Sequence, residues 1–553
     1  MSRRGLLGAT FTSVAAAWMG PRLASASDLG SAERLRRLYS NRFVFGADGE
    51  PRITIGLMQG QRTVRIGCEA GLLVALSGED TTVLEAGSRW TVRIGRSTPG
   101  SVRHSLVLAS LPAYDAAAID AKAKAFRARG LDVDLHEVGA AFGVRGRSLD
   151  ARRILLTTGT FGSPSDAHDV ARLLERDLGI TPRTHPVIDR RASGIVIGTD
   201  AASGATLRAE GVLWFRPRDG KTPIVIEDVA SGGIHGHGER STRAYRGEVY
   251  VAVDKDGALA VVNRVRETDL LAGLVPAEIF PSAPFEALCA QAIAARGQLV
   301  AKAGTRHLAD PYLLCAHQHC QVYAGVVRED PRATRAVEHT RGRLLLRPER
   351  DVLVDTVYSA NCGGHTEDND AVWPAPADPR LRGKPDPRLA ARFPAGIGED
   401  NLHAFLTDAS PAFSRPPDGR HAESYRWRAE VDLAQVSRRL AARGEAVGRI
   451  REVRIASRGR SGRATTLIVV GTRGTRTIHG ELVIRRLLGG LRSSLFAIAD
   501  LDTARGTMNL VGAGHGHGVG MCQHGAMGMA RAGWSHARIL GHYYAAPRLV
   551  RLW

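Results

Sequence analysis

Apolar and polar residues alternate in short runs along the first part of the chain. From Arg52 to Val92 these runs read ITIGLM, TVRIG, LLVAL and WTVRIG, with glycines between them. Because successive residues of a strand point to opposite faces of a sheet, this period of two predicts short antiparallel strands. Similar runs return after Ile195 as IVIGT, ATLRAEGVLWFRP, GEVYVAVD and ALAVVNRVR. The pattern predicts two β-rich regions separated by a segment of another kind.

That intervening segment combines strand and helix patterns. It predicts, in order, a strand, a helix, two strands, a helix and a strand at His104–Ala109, Tyr114–Arg129, Val133–Val138, Arg153–Thr160, Ser163–Leu178 and Pro182–Ile188. This β-α-β-β-α-β order is typical of ferredoxin-like domains. The stretch RILLTTGTFGSPSDAHDVARLLERDLG also resembles the SPOR domain, a wall-binding module with the same order.

The last part of the chain mixes helices, strands and one long irregular stretch. Helical spacing marks the segments that start at Ser282, Leu433, Gln523 and Ser535, and strands are predicted at 450–457 and 464–470. The Pro/Asp/Arg-rich residues 374–420 predict a long loop or lid. Together the patterns predict an α+β protein with antiparallel sheets and packed helices.

The first residues have the pattern of an export signal. Arg3 and Arg4 precede an apolar run from Gly5 to Met19, and an A-x-A site suits cleavage after Ala26. SRRGLL resembles a twin-arginine signal, which exports folded proteins. The run is too short to span a bilayer, so we predict an exported protein of the periplasm or cell envelope without a membrane span in its mature form. An uncleaved anchor and a misplaced start codon are the alternatives.

The charge balance indicates an acidic partner. The 553 residues include 75 Lys and Arg, of which only six are lysines, against 56 Asp and Glu, for a net charge of +19. Such a surface favours polyanions. Because an exported protein meets little nucleic acid, we predict cell-wall glycan, with its lactyl and peptide carboxylates, as the partner, and no nucleic acid. Genomic base composition would produce the same arginine excess without any function.

Glu278 is a candidate general acid. It lies in the apolar stretch LLAGLVPAEIFP, residues 270–281. Burial raises the pKa of a carboxyl because desolvation disfavours the anion, and such an acid can protonate a leaving oxygen near neutral pH. A salt bridge to Arg296 is the structural alternative. In the helix that follows, Ser282 is the predicted N-cap and Glu286 a first-turn residue stabilised by the helix dipole.

The segment CAHQHCQVY, residues 315–323, has the composition of a metal site. Cys315, His319 and Cys320 offer two thiolates and an imidazole, a set suited to Zn²⁺ with a fourth ligand or water from elsewhere. A disulfide, for instance of Cys315 or Cys320 with Cys362, is the alternative. Six cysteines in a chain of 553 residues are too few for a disulfide scaffold.

The segment NCGGHTED permits two interpretations. Cys362 is a candidate nucleophile if His365 or a distant histidine serves as its base. The preferred interpretation is a tight Cys-Gly-Gly bend, since glycine adopts turn conformations freely, which would bring Thr366 and Glu367 to a groove.

Glycines alternate with other residues at the start of GHGHGVGMCQHGAMGMARAG, residues 514–533. On an extended strand His515 and His517 would share one face, and the bare backbone would let a sugar chain approach closely. We therefore predict a groove wall that contacts substrate. The alternative is that the glycines allow close crossing near the core and that the histidines pack there.

Three blocks of the sequence resemble the SpoIID/LytB family of sporulation and amidase-enhancer proteins. They are LLAGLVPAEIFPSAPFEALCAQAIAARG (270–297), YSANCGGHTEDNDAVW (358–373) and GHGHGVGMCQHGAMGMARAGWSHARILGHYY (514–544). The resemblance implies a mixed SpoIID-type α+β core, a lytic transglycosylase that forms 1,6-anhydroMurNAc ends, and Glu278 as its acid/base. It also supports zinc at the Cys/His segment. The chain departs from the family pattern at Ile279, where methionine is usual, and at Gly297, where threonine is usual.

The blocks and patterns together assign the parts of the chain. Residues 1–26 form the predicted export signal, 27–99 the N-terminal β-rich part, 100–190 the inserted SPOR-like glycan-binding module and 191–553 the SpoIID/LytB catalytic core. The predicted substrate contacts are Gln291, Arg296, Gly363, Gly364, Thr366, Glu367, His515, His517, Gly518, Gln523 and Tyr543.

Three other functions stay open at this point. Glu367 or Asp368 could supply the second carboxylate that hydrolysis requires. The protein could bind peptidoglycan without cleaving it and stimulate a cell-wall amidase, which is then its second partner. It could also be a zinc or cysteine hydrolase of peptide bonds.

Overall fold

The structure is a computed structural model. It describes residues 38–39, 44–76, 84–86, 88–144, 146–178, 182–230, 240–317, 320, 322–349, 351–373, 375–417, 419 and 421–553. The predicted export signal, residues 1–26, and the predicted ligand His319 lie outside these residues. Of the helices described, none is both long and apolar enough to cross a membrane.

The helices of the described residues are α1 (Ala116–Arg127), α2 (Pro164–Leu178), α3 (Glu267–Glu278), α4 (Phe285–Lys302), α5 (Pro331–His339), α6 (Asn369–Val372), α7 (Glu399–Thr407), α8 (Leu433–Ala442), α9 (Glu481–Leu487), α10 (Gln523–Arg531) and α11 (His536–Tyr543). Short 3-10 turns occur at Gly325–Arg328 and Ala422–Ser424.

The strands are β1 (Val44–Phe45), β2 (Pro51–Gln61), β3 (Thr63–Gly67), β4 (Leu72–Ala75), β5 (Leu84–Ala86), β6 (Arg89–Thr98), β7 (Ser101–Pro112), β8 (Asp134–Val138), β9 (Ala141–Val144), β10 (Arg147–Asp150), β11 (Arg153–Phe161), β12 (Arg183–Arg190), β13 (Ser193–Asp200), β14 (Thr206–Glu210), β15 (Val212–Pro217), β16 (Ile224–Ala230), β17 (Arg240–Tyr245), β18 (Glu248–Val253), β19 (Leu259–Arg266), β20 (Leu314–Cys315), β21 (Arg343–Leu346), β22 (Tyr358–Ser359), β23 (Arg426–Asp432), β24 (Ile450–Arg458), β25 (Ala464–Gly471), β26 (Gly474–His479), β27 (Phe496–Asp502), β28 (Thr507–Ala513), β29 (Met521–Cys522) and β30 (Arg548–Arg551).

Two antiparallel sheets share the main hydrophobic core. One has the order β1-β2-β19-β18-β15-β4-β5, with β20 pairing parallel to β2, and the other has the order β14-β13-β6-β3-β16-β17. Trp90 of the second sheet packs edge-on against Phe215 of the first at 6.0 Å between ring centroids. The alternating runs that predicted strands are thus the strands of these sheets. The mixture of antiparallel sheets and packed helices confirms the predicted α+β class.

Helices α3 and α4 pack on this core and carry the first sequence block. Helix α4 is buried from Ala287 to Val300, and this buried run includes the polar Gln291, Arg296 and Gln298. It starts later than predicted: its N-cap is Pro284, which makes no side-chain cap, and the predicted cap Ser282 precedes it. Glu286 does lie in the first turn, and its carboxylate accepts hydrogen bonds from His536.

Residues 101–190 form a separate four-stranded sheet with the order β12-β7-β11-β8, accompanied by α1 and α2. A hairpin of β9 and β10 lies between β8 and β11 in the chain. The segment leaves and re-enters the six-stranded sheet at neighbouring strands, because Thr98 at the end of β6 pairs with Ser193 at the start of β13. Its SPOR-like character stays a prediction.

Among its described residues the stretch 374–420 is irregular outside one helix, in line with the predicted long loop, but it is packed into the fold. It contains helix α7 and contributes Leu389, Phe393 and Phe405 to a buried cluster. Its apolar residues are spaced widely enough among Pro, Asp and Arg to obscure the pattern, yet they bury together. Beyond it, α8 and α9 cover the sheets β23-β28-β27 and β24-β25-β26.

Candidate active site

A short parallel strand pair joins the second and third sequence blocks. Tyr358 of β22 pairs with Met521 of β29, and Ser359 pairs with Cys522. The two blocks are far apart in sequence, and this pairing places the Tyr358 side chain beside the Gly/His segment. Helix α10 starts immediately after β29, with the Cys522 side chain accepting a hydrogen bond from the Gly525 amide.

Glu278 is the last residue of α3, and its half-buried carboxyl faces the start of the second block. Burial raises its pKa above the usual value for glutamate. The Lys302 cation, the Val322 amide and the Tyr358 hydroxyl act in the opposite direction, because each stabilises the carboxylate. The raised pKa widens the pH range over which this carboxyl keeps a proton to donate, and the three stabilising groups favour the carboxylate that accepts one back.

Lys302 connects Glu278 to the Cys/His segment. Its ammonium group donates a 2.7 Å hydrogen bond to the carbonyl of Cys320, and Val322 follows two residues later. Burial lowers the pKa of Lys302, while its attraction to Glu278 and Asp355 raises it. The Cys320 carbonyl therefore positions the Lys302 ammonium, and the nearby Val322 supplies the amide that faces Glu278.

Arg296 does not pair with Glu278. Its fully buried guanidinium donates a 2.6 Å hydrogen bond to Glu267 at the start of α3 and another at 3.2 Å to the Arg343 carbonyl. Trp553 donates to the second carboxylate oxygen of Glu267 at 3.2 Å. The salt bridge considered from sequence as an alternative role for Glu278 is therefore wrong, since Arg296 pairs with Glu267.

Gln291 and Gln523 are buried behind Tyr358. Gln523 donates to Gln291 at 3.3 Å, and Gln291 lies against the Tyr358 hydroxyl. Tyr543 is buried as well, and its hydroxyl lies against Gly525 and near Cys522. Two of these three predicted contacts, Gln291 and Gln523, thus adjoin the Glu278 site from its interior side.

The Cys-Gly-Gly bend is present. Gly363 and Gly364 have φ of 76° and 106°, conformations that favour glycine, and the Gly363 amide donates to the Asn361 side chain at 2.9 Å. The bend directs the following residues inward. Thr366 exchanges hydrogen bonds with the backbone of Lys384, and Glu367 is bound by the Ser461 hydroxyl at 2.6 Å.

The Gly/His segment is irregular rather than a strand. Strand β28 ends at Ala513 and β29 begins at Met521, and the glycines at 514, 516, 518 and 520 all have φ between 72° and 94°. A Cβ on Gly518 would lie 2.4 Å from the guanidinium carbon of Arg463. The close approach at Gly518 is therefore made by the protein's own side chain, in line with the alternative of close crossing near the core.

His515 and His517 lie in different surroundings. The His517 ring accepts from the Val519 amide at 3.0 Å and bonds to the Tyr358 backbone, and burial lowers its pKa to about 3. His515 instead lines an open cavity of about 610 Å³ with Arg439, Arg485 and Arg492 among its other walls. The positive φ of Gly516 accounts for the difference, because it breaks the alternation that would put both rings on one face.

Two exposed aromatic rings adjoin the Glu278 site. Phe280, which follows Glu278 by two residues, is 42% exposed and stacks on His421 at 4.8 Å. Trp373 is 36% exposed and packs on His517 at 4.9 Å. Exposed rings of this kind offer flat apolar faces to a ligand.

A His/Cys/Cys cluster could hold a metal ion. The ligand atoms of His307, Cys315 and Cys320 all lie within 4.8 Å of one another. His307 Nε2 is 3.3 Å from the Cys320 thiol, and its Nδ1 is 3.0 Å from the Asp310 carboxylate. A carboxylate that holds the second ring nitrogen is typical of metal-binding histidines, so these residues fit a soft divalent ion such as Zn²⁺. Two of the three predicted ligands belong to the cluster, and His307 is an addition.

Cys362 lies against Cys522 and away from the His/Cys/Cys cluster. Its amide donates to the Cys522 thiol at 3.1 Å, so the pairing with Cys315 or Cys320 considered from sequence is wrong. His365 Nδ1 is bonded to the Thr366 carbonyl, and burial lowers its pKa to about 4. The buried Cys362 thiol therefore has a thiol rather than an imidazole beside it.

Sequence reasoning missed five residues of this region: Tyr358, Lys302, His307, Phe280 and Trp373. Tyr358 opens the YSANCGG block, and Trp373 ends the same block, so the blocks themselves contained a signal for both. His307 and Asp310 are three residues apart, a spacing that could have indicated a metal ligand with its supporting carboxylate.

Comparisons with known proteins cover most of these residues. A family model described as Stage II sporulation protein matches residues 255–346, and one described as a domain of unknown function matches 367–520. An uncharacterized protein of Brachyspira hyodysenteriae is 27% identical over 292 residues, 53% of this chain and 68% of its own length. The amidase enhancer of Bacillus subtilis is 27% identical over 305 residues, 51% of this chain and 40% of its own length. A solved structure from Burkholderia pseudomallei has 13% identity and a TM-score of 0.17 over 32% of this chain and 28% of its own, a likeness too small to inform the fold.

Proposed function

We propose that this chain is an exported peptidoglycan lytic transglycosylase. The family model and the amidase-enhancer relative support its assignment to the SpoIID/LytB family. The observation that carries the proposal is the Glu278 carboxyl, half-buried, with its pKa raised by burial and with Tyr358, Lys302 and Val322 directed at it. The substrate is a glycan strand of alternating GlcNAc and MurNAc.

In the proposed reaction Glu278 acts first as an acid and then as a base. Its proton goes to the oxygen between MurNAc C1 and the next GlcNAc, and that C–O bond breaks with its electron pair going to the oxygen. The resulting carboxylate takes the proton of the MurNAc 6-hydroxyl while that oxygen bonds to C1. No water is consumed, and the product end is a 1,6-anhydro sugar. Lys302 and Tyr358 stabilise the carboxylate between the two steps.

The surroundings of the other candidate carboxylates support a single-acid mechanism. Most glycoside hydrolases need a second carboxylate as base or nucleophile. Glu367 is buried against Ser461 and Arg463, and Asp368 accepts from the Gly383 amide and pairs with Arg382 at 3.3 Å. Both carboxylates thus already have structural partners.

Surfaces around Glu278 suit a glycan strand. The exposed rings of Phe280 and Trp373 can pack on the apolar faces of sugar rings, since aromatic side chains combine large area with little lost flexibility. The cavity lined by His515, four arginines, Glu430 and Asp432 has an excess of positive charge that suits the lactyl or peptide carboxylates of the wall. Binding through this cavity should weaken as salt rises.

We include a zinc ion in the proposal, held by His307, Cys315 and Cys320, with the predicted ligand His319 as a candidate for the fourth position. A bound ion would cross-link the segment after β20. Because the Cys320 carbonyl holds Lys302 and Val322 contacts Glu278, fixing this segment fixes the groups that set the charge of the acid.

The decisive experiment digests glycan strands freed of stem peptides and analyses the products by mass spectrometry. Anhydro ends are expected from the wild type, with at least about a 100-fold lower rate for Glu278→Gln. Glu286→Gln is the matched control, because Glu286 lies one helix further on and bonds to His536. Reducing ends in place of anhydro ends would show hydrolysis and contradict the mechanism.

A second candidate function comes from the name of the Bacillus subtilis relative, amidase enhancer. As a wall-binding enhancer, the protein would retain glycan binding but release no product, and Glu278→Gln would leave the stimulation of a cell-wall amidase unchanged. The same digestion, repeated with an amidase present, separates the two functions.

A further inference from the structure

Cys362 and Cys522 are neighbours in the structure although they lie 160 positions apart in the sequence. The Cys362 amide donates to Cys522 Sγ at 3.1 Å, and the Gly525 amide donates to the same sulfur at 3.2 Å. Their exposures are 3% and 0%. The strand pairing of Ser359 with Cys522 fixes the two backbones beside each other. These backbone contacts therefore hold Cys362 and Cys522 beside each other.

We propose that Cys362 and Cys522 form an intramolecular disulfide in the oxidised protein, which joins the Cys-Gly-Gly bend to the start of α10. The proposal does not depend on the function proposed above. It differs from both roles considered from sequence, a nucleophilic Cys362 and a bridge from Cys362 to the Cys/His segment.

Thiol–disulfide exchange forms this bond in two balanced steps. Because both thiols are buried in the folded protein, the exchange takes place on local opening of the segment. The Cys362 thiolate attacks a disulfide oxidant, such as oxidised glutathione or a thiol-oxidoreductase, and forms a mixed disulfide with release of one thiol. The Cys522 sulfur, losing its proton, then displaces the second thiol and completes the bond.

This bond would cross-link the two blocks that build the Glu278 site. Cys362 follows Tyr358 by four residues, and Cys522 follows His517 by five. A cross-link between residues so far apart in sequence restricts the unfolded chain strongly and stabilises the folded one. The bond would therefore hold Tyr358 beside the Gly/His segment in an oxidising compartment.

Peptide mapping of the intact chain tests the proposal. The purified protein is treated with oxidised glutathione, denatured, alkylated and digested with trypsin without reductant. Cleavage after arginine gives peptides 351–380 and 506–531, which contain Cys362 and Cys522. We expect these two peptides linked, with a mass about 2 Da below their sum because two hydrogens leave. Dithiothreitol should separate them.

Thermal unfolding supplies an independent measurement. Oxidised wild type should melt several degrees above the reduced protein, since the cross-link acts on the unfolded state. Cys522→Ser should melt at the same temperature with and without oxidant. Cys68→Ser is the control that should keep the shift, because the Cys68 thiol faces the Thr222 carbonyl. Recovery of both peptides singly alkylated after oxidation, or either of them linked to another cysteine, would overturn the proposal.

Discussion

Removing the Tyr358 hydroxyl should change the acidity of Glu278 without changing the shape of the site. In Tyr358→Phe the ring stays, and the hydroxyl is lost both as a donor to the carboxylate and as a partner of Gln291. Because that hydrogen bond favours the carboxylate, its loss raises the pKa of Glu278 further above the ordinary value.

The size of the effect follows from the kind of bond. A hydrogen bond to a charged group contributes about 1.5–3 kcal/mol, and one pKa unit corresponds to about 1.4 kcal/mol. The carboxyl is half-buried, so water replaces part of the lost interaction. We therefore expect the pKa of Glu278 to rise by about one unit, toward the lower end of that range.

The pH profile of the reaction reports this change with a definite sign. Glu278 must be protonated at the first step, so kcat/KM falls as the pH rises through its pKa. In Tyr358→Phe this alkaline limb should move to higher pH by about one unit, measured as release of anhydro ends from peptide-free glycan strands across the pH range.

A neighbouring tyrosine provides the control. The Tyr544 hydroxyl donates to the Val357 carbonyl at 2.9 Å, so Tyr544→Phe removes a buried phenol hydroxyl from the same wall without touching Glu278. Its alkaline limb should stay in place. An alkaline limb that does not move in folded Tyr358→Phe, that moves to lower pH, or that moves equally in both variants would refute the assignment of this limb to Glu278.

Three further predictions concern the support of the site. Gly297→Thr would place a Cβ 2.2 Å from the Thr356 hydroxyl, so it should lower the free energy of unfolding in denaturant by about 1–3 kcal/mol. Adding Thr356→Ala should recover most of this loss. A loss that is not recovered would contradict the packing argument. Glu267→Gln leaves Arg296 buried without its anion and should lower the free energy of unfolding by about 3–5 kcal/mol, so an unchanged denaturant midpoint would argue against the pair. His307→Ala should reduce the zinc content of protein purified with zinc, measured by elemental analysis, and a content equal to that of wild type would exclude His307 as a ligand.

The order of strands and helices could be predicted where periodicity was clean. The helix predicted to start at Leu433 is α8, which begins there because Asp432 caps it and its apolar positions face one side. In the region 374–420 the irregular backbone was predicted but its burial was not, since proline and charged residues dominate the composition and hide the apolar positions of a buried cluster, which Tyr425, Leu495 and Ala513 complete from other elements. The periodicity of a segment predicts its own helix or strand, but it does not predict which other elements the segment packs against.

The same distinction applies to the site. Glu278 could be singled out as a candidate acid because its apolar neighbours are adjacent in sequence, and the family resemblance implied its role as acid/base. Tyr358, which contacts it, reaches it only through the pairing of β22 with β29, and no spacing in the sequence indicates that pairing. At position 297 the sequence shows glycine where the family pattern has threonine, but it does not show why. In the structure Gly297 makes room for the Thr356 side chain, whose hydroxyl donates to the Ala294 carbonyl at 2.7 Å.

The Gly/His segment shows why an alternating pattern is ambiguous when glycine is one of its members. In a strand, alternation assigns each side chain to a face because every residue has nearly the same φ and ψ. Glycine also adopts positive φ without strain, and each glycine from 514 to 520 does so here, so every step turns the chain instead of extending it. As a result His515 lines the arginine-lined cavity, whereas His517 bonds to the backbone of Tyr358. A residue with a side chain at Gly516 or Gly518 would have to relax this path, and both histidine positions would be lost together.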